Sequence, residues 1–200
     1  MTKQRLMNTG KPDKKKITTD ITLASVWLPE DQAIGCASES ERYWLTDKNS
    51  LTSRLERFYN AKPTVKILQQ ELDEPEATEL CALGISATKQ QFIVRRVQLI
   101  VNDIPLVYAR SILPANIPDI QQHLSFSAQT PIGKWLFFQS EVNRSAFEIT
   151  RIHSTQLAKD SGAPTNQKLW GRRSAFSIRN NKILVTEYFL PALLKPDKHY

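Results

Sequence analysis

The chain divides into apolar runs with two kinds of spacing. β-branched and aromatic residues crowd "FIVRRVQLIV" (92–101) and "IPLVYARSIL" (104–113), and Asn102-Asp103 between them is a two-residue hairpin turn by composition. "LWGRRSAFSIR" and "KILVTEYFL", flanking Asn180-Asn181, predict a second hairpin. "TVKILQQEL" (64–72) and "AFEITRI" (146–152) predict two more strands, six in all. The other spacing is helical. In residues 38–60, Leu51, Leu55 and Phe58 fall on one helical face, and Thr46–Ser50 is the turn between two short helices. "NIPDIQQHL" and "TPIGKWLFFQ" predict a second pair, with Pro131 at a helix start. Residues 73–80 are acidic, contain Pro75, and predict a loop or a helical turn. Residues 153–168, with Gly162 and Pro164, predict a loop. The fold class that follows is α+β, a single six-stranded antiparallel sheet interrupted by two helical pairs.

Pairing the hairpins on paper exposes charges where burial is expected. Across Asn102-Asp103, Val101 faces Ile104, Leu99 faces Leu106, Val97 faces Tyr108, Arg95 faces Arg110 and Ile93 faces Ile112. Two opposed arginines interrupt an otherwise apolar face. Like charges destabilise a ladder, and dehydrating them unpaired costs several kcal/mol more. They call for an anion: a protein carboxylate, or a ligand carboxylate that a planar guanidinium grips with two parallel hydrogen bonds. Across Asn180-Asn181, Ser174 faces Glu187 and Arg172 faces Phe189. Glu187 therefore shares a row with Ile183, Val185 and Phe189. Either it pairs with Arg172 and Ser174, or it is the polar end of a dry pocket.

Charge narrows the choice of partner. The 200 residues carry a net +7. Residues 1–16 hold six Lys or Arg against Asp13, or +5, which leaves +2 for the rest. The basicity belongs to an arm, residues 1–18, expected to be disordered and to precede one domain at 19–200. The arm lacks interleaved aromatics, so nucleic acid is not the expected partner. No run approaches the ~20 apolar residues of a membrane span. "AIGC" at 33–36 only faintly resembles a lipoprotein cleavage site, because Glu30 and Asp31 precede it. A cytoplasmic monomer is the expectation. Cys36 and Cys81, and His123, His153 and His199, show neither metal-ligand spacing nor a Cys/His nucleophile. Glycines are too dispersed for a phosphate loop. No cofactor or metal is expected.

Four blocks carry a family resemblance. "LWGRRSAFSIRNNKILVTEYFLPALL" resembles the C-terminal signature of the chorismate lyase family, with its Leu-Trp-Gly-Arg-Arg-Ser and Thr-Glu-x-Phe-Leu-Pro blocks. "TPIGKWLF" is similar to that family's Thr-Pro-Leu-Gly-x-x-Leu-Phe helix, "FIVRRVQLIVNDIPLVYARSILP" to its arginine-containing hairpin, and "NSLTSRLE" to a weaker block near the start. Together they cover roughly residues 38–192. The resemblance implies a cofactor-free conversion of chorismate to 4-hydroxybenzoate and pyruvate, the first committed step of ubiquinone biosynthesis. It implies a sheet whose ligand is buried beneath two helix-turn-helix flaps. Position by position, it implies that Arg95 binds the ring carboxylate, helped by the backbone N–H of Leu51 in the first flap. Ile132 adds a backbone contact from the second flap, and Glu187 meets the 4-hydroxyl. The family often has methionine at Leu51 and leucine at Ile132, and a backbone contact tolerates both changes. Arg110 is the expected helper of Arg95, and Arg172 or Arg173 the expected partner of the pyruvyl carboxylate.

The same resemblance admits a second reading, a non-catalytic effector-binding module of the UTRA type found in bacterial transcription regulators. Such modules follow a winged DNA-binding segment. About 37 residues precede the first flap here and read as no such segment, so a free-standing enzyme is the expectation.

Overall fold

The computed structural model describes residues 26–86, 89–126, 129–137, 139 and 142–194. The basic arm at 1–18 lies outside them. The six expected strands all form: β2 (Thr64–Leu72), β3 (Phe92–Val101), β4 (Ile104–Pro114), β6 (Glu148–His153), β7 (Lys168–Ile178) and β8 (Asn181–Phe189). Two short strands, β1 (Leu28–Pro29) and β5 (Val142–Arg144), raise the count to eight. Runs of two and three residues have no period to read, which is why the sequence suggested six. The sheet is antiparallel in the order β1-β6-β7-β8-β4-β3-β2, and β5 extends the β6 side of β7.

The two expected helical pairs are α2 (Glu39–Leu45) with α3 (Leu51–Tyr59), and α5 (Pro118–Phe126) with α6 (Ile132–Phe137). Short helices also form at α1 (Glu30–Ala33), α4 (Ala77–Ala82) and α7 (Pro191–Leu194). Ser38 and Glu41 close a capping box on α2, and the Ser50 hydroxyl accepts from the Ser53 N–H at the start of α3. Asn60, left-handed at φ 47°, stops α3. Leu51 and Leu55 are buried as expected, but the third buried place is Tyr59, while Phe58 is 43% exposed. A helix that buries 51, 55 and 59 repeats every four residues and turns position 58 off the contact stripe.

The register corrects the paper pairing in one hairpin and shifts it in the other. In β3–β4 the turn is as expected, with Asn102 and Asp103 both left-handed. Partners then jump from Ile100↔Pro105 to Leu99↔Val107, so Leu106 forms a bulge. Beyond it Arg95 faces Ser111 rather than Arg110, and Arg110 faces Arg96 on the opposite side of the sheet. One extra residue reverses every later side chain. In β7–β8 the turn is Arg179-Asn180, not Asn180-Asn181, and Ile178 pairs with Asn181. This is a slip of two, so faces are kept. Glu187 stays with Ile183, Val185 and Phe189, now directly opposite Arg172.

Each flap covers its own part of the inner face. Leu45, Leu51 and Leu55 pack with Val97, Leu99 and Phe189. Ile120, Leu124, Ile132 and Leu136 pack with Leu113, Phe176, Ile183 and Val185. α3 also touches α6, so the flaps meet each other. On the outer face, α4 and its C-terminal Leu83 cover Phe92, Val94, Ile112 and Leu184. No helix of the described residues is long and apolar enough to cross a membrane.

Candidate active site

Where the flaps meet the sheet, a slot remains. Its floor is Arg95, Val97 and Leu99 of β3, Ala109 and Ser111 of β4, Val185 and Glu187 of β8, and Arg172 and Phe176 of β7. These alternate positions all point to one face. Its roof is the turn and first residues of α3 (Asn49–Thr52) and the start of α6 (Pro131–Gly133), with Phe137, and Arg144 of β5 joins the lining. The cavity that remains has a volume of about 40 Å³. A larger, open groove behind the second flap is lined by Gln70, Gln90, Gln91, Asn116 and Gln121. Its described lining residues include no arginine and none that lines the slot.

Arg95 is 1% exposed. Its Nε donates to Gln70 Oε1 at 3.0 Å and its Nη2 to the Thr130 carbonyl at 3.4 Å. A second bulge, at Leu68 of β2, sets Gln70 opposite Arg95. Burial pulls the Arg95 pKa down to about 10, so the group remains a cation at neutral pH. Arg95 and Glu187 lie two strands and one residue pair apart, roughly 12 Å at Cα by sheet spacing.

Glu187 is bonded to Arg172, Arg172 Nε to Glu187 Oε2 at 2.6 Å, and it also lines the slot. Arg172 is 1% exposed, and its Nη1 donates to the carbonyls of Trp44 (2.9 Å), Leu45 (3.4 Å) and Asp47 (2.9 Å). The first two end α2, where carbonyls have no helical partner, and Asp47 lies in the turn that leads to α3. One guanidinium thus caps the first flap and braces Glu187. Ser174, expected beside Glu187, instead accepts from Arg144 Nε at 2.8 Å. Leu51 and Ile132 are the first residues of α3 and α6. Their peptide N–H groups belong to the turn that helices leave unbonded, and both residues line the slot.

Two expected residues are elsewhere. Arg110 points to the outer face and makes a two-pronged pair with Glu79, at 2.8 and 3.1 Å; the Leu106 bulge put it there. Arg173, one residue from Arg172 and so on the opposite face, bonds Glu148 and the Thr78 carbonyl. The reading from sequence missed Gln70 and Arg144. Arg144 sits in a three-residue strand with no period, though Phe137, Phe147 and Phe176 around it are visible in the chain.

His123 of α5 stands behind Arg95. It is buried, stacks on Trp135 with ring centres 5.2 Å apart, and bonds the backbone of Thr130. Burial, and then the Arg95 charge, hold its pKa below the ordinary 6.5. The unfolded chain therefore binds the proton first as pH falls. Stability is fully present above about 6.5 and declines as pH drops through that value toward the folded pKa. Urea midpoints should fall between about pH 7.5 and pH 5.5, and His123→Phe, which keeps the stacking, should flatten that slope. An unchanged slope in the variant would assign the pH dependence to other groups.

Comparison with known proteins identifies the family. The profile of the family described as "Chorismate lyase" matches residues 22–198. A protein of Pseudoalteromonas translucida named "Probable chorismate pyruvate-lyase" is 32% identical over 178 residues, covering 88% of this chain and 97% of that one. The "Chorismate pyruvate-lyase" of Erwinia tasmaniensis is 29% identical over 168 residues, covering 83% and 86%. Among solved structures, the C-terminal domain of PhnF superposes with a TM-score of 0.52 at 17% identity, covering 72% of this chain and 88% of that one, which is a likeness of fold alone. A family match over most of the chain, with relatives aligned along most of their own length, means that this chain belongs to the chorismate lyase family.

Proposed function

We propose that the chain carries out its family's reaction, chorismate to 4-hydroxybenzoate and pyruvate, in the slot beneath the flaps. The carrying observation is that Arg95 and Glu187 face the same enclosed slot from separate strands, with two helix starts above them. Arg95 holds the ring carboxylate through charge-assisted hydrogen bonds. The N–H groups of Leu51 and Ile132 add donors from the flaps. Glu187 Oε1 accepts from the 4-hydroxyl while Oε2 stays on Arg172, which fixes the carboxylate's orientation. The C3–O ether bond then breaks and the C4 hydrogen leaves. Delivered to the methylene carbon of the departing enolpyruvyl group, that hydrogen completes pyruvate and leaves an aromatic ring, so all atoms balance within the substrate. Aromatisation drives the step, and the protein's contribution is positioning and a fixed electrostatic frame. Ubiquinone synthesis is the usual setting of this chemistry.

The slot is built within one chain, which supports action as a monomer. Exposed, unpaired Cys36 and Cys81 suit a reducing compartment such as the cytoplasm. The effector-module reading shares the fold but not the family match. The test is incubation of the purified protein with chorismate, following 4-hydroxybenzoate by absorbance and pyruvate by a coupled assay. Stoichiometric formation of both supports the reading. Chorismate binding without turnover favours the effector module.

A further inference from the structure

We propose that Arg144 receives the second carboxylate of the substrate, the one on the enolpyruvyl group, and thereby distinguishes chorismate from its product. This rests on the proposed function and goes further, because neither Arg172 nor Arg173 fills that role. Arg172 is committed to Glu187 and to three carbonyls, and Arg173 faces the other side of the sheet.

Charge balance is the first argument. Among the described residues lining the slot, the charged ones are Arg95, Arg144, Arg172 and Glu187. Three cations and one anion leave +2. Chorismate carries two carboxylates, whereas 4-hydroxybenzoate carries one. A slot built only for the product would hold one cation too many, in a place where surplus charge is costly.

The second argument is how Arg144 is held. Its guanidinium lies 4.0 Å from the Phe147 ring centre and 5.1 Å from that of Phe176, a platform that fixes its plane. Nε is anchored on Ser174 Oγ at 2.8 Å, and Nη1 on the Lys48 carbonyl at 3.2 Å. No carboxylate of the described residues lies within ion-pair distance of it. Three neighbouring arginines differ: Arg110, Arg172 and Arg173 each have one. A half-buried, doubly anchored cation that feels Glu187 and Asp47 only from beyond ion-pair distance is a preorganised anion site.

Position is the third. The strand order β3-β4-β8-β7-β5 puts Arg95 and Arg144 on opposite sides of the strand that bears Glu187, roughly 20 Å apart at Cα by sheet spacing. Both side chains reach inward to the same slot. A ring held by its carboxylate at Arg95 and its hydroxyl at Glu187 has one of its two orientations with the C3 substituent, adjacent to the hydroxyl, on the β7–β5 side, where Arg144 lines the slot. When the ether breaks, the charge held by Arg144 departs with pyruvate.

The test compares a dianion with a monoanion on the same preparations. In Arg144→Gln, KM for chorismate should rise at least ~30-fold, the scale of breaking a buried charged pair. Its dissociation constant for 4-hydroxybenzoate should stay at the wild-type value. Arg144→Lys keeps the charge, loses the planar fork, and should recover part of the loss. It also serves if the glutamine variant does not fold. Equal weakening of substrate and product, or an unchanged KM in the folded variants, would overturn the assignment. Wild-type protein is the control: failure of wild-type turnover overturns the proposed function and this inference with it, and is plain before any variant is read.

Discussion

Arg172→Ala should destabilise the fold by about 4 kcal/mol or more, a large share of the ~5–15 kcal/mol that holds a domain together. The substitution strands four acceptors at once. Glu187 loses its counter-ion at 2.6 Å, and the carbonyls of Trp44, Leu45 and Asp47 lose their donor. Breaking a buried ion pair costs about 3–5 kcal/mol, and each buried carbonyl left unsatisfied adds about 1–3. Water entering the cavity offsets part of the sum. Glu187→Gln should cost less, because an amide oxygen still accepts from Nε and the three carbonyls keep their donor. Urea denaturation of both single variants and the double variant measures the coupling. A loss under about 1 kcal/mol in Arg172→Ala would mean that the first flap is held by its apolar contacts alone.

Arg95→Ala should do the reverse, removing binding while sparing the fold. Affinity for 4-hydroxybenzoate should weaken by roughly 2–5 kcal/mol, about 30- to 4,000-fold. Arg95 is almost wholly dehydrated, and burial already pulls its pKa to about 10. Stability should therefore hold or rise, as at sites where charge is kept for a ligand. Arg95→Lys should regain only part of the affinity, because an ammonium cannot form the fork. Calorimetric titration with 4-hydroxybenzoate, beside a melting curve, checks both halves. Wild-type affinity in a folded Arg95→Ala variant would move the ring-carboxylate site to another group.

These contrasts show what could be read from sequence. Strands were legible because β-branched and aromatic runs are long and end at turn residues. Glu187 was legible because a two-residue slip of its hairpin leaves every side chain on its face. Arg110 was misplaced because a one-residue bulge at Leu106 reverses the face, and nothing in "IPLVYAR" announces a bulge. Arg172 looked like a ligand contact or a partner of Glu187. Its other partners are backbone carbonyls more than a hundred positions away, and a carbonyl has no signature in sequence. Arg144 was missed for a similar reason: its anchors are Ser174 and a peptide oxygen of the first flap.

The double duty of Arg172 has a kinetic consequence. If the proposed substrate enters beneath the first flap, lifting that flap would draw the carbonyls of Trp44, Leu45 and Asp47 off Arg172 Nη1. The same motion frees the guanidinium whose Nε steadies Glu187. Gate and carboxylate share one hinge pin, so the protein cannot be open to solvent and poised for reaction at the same moment. On the proposed function, access and readiness would then alternate, and each turnover would rebuild the site it had just dismantled.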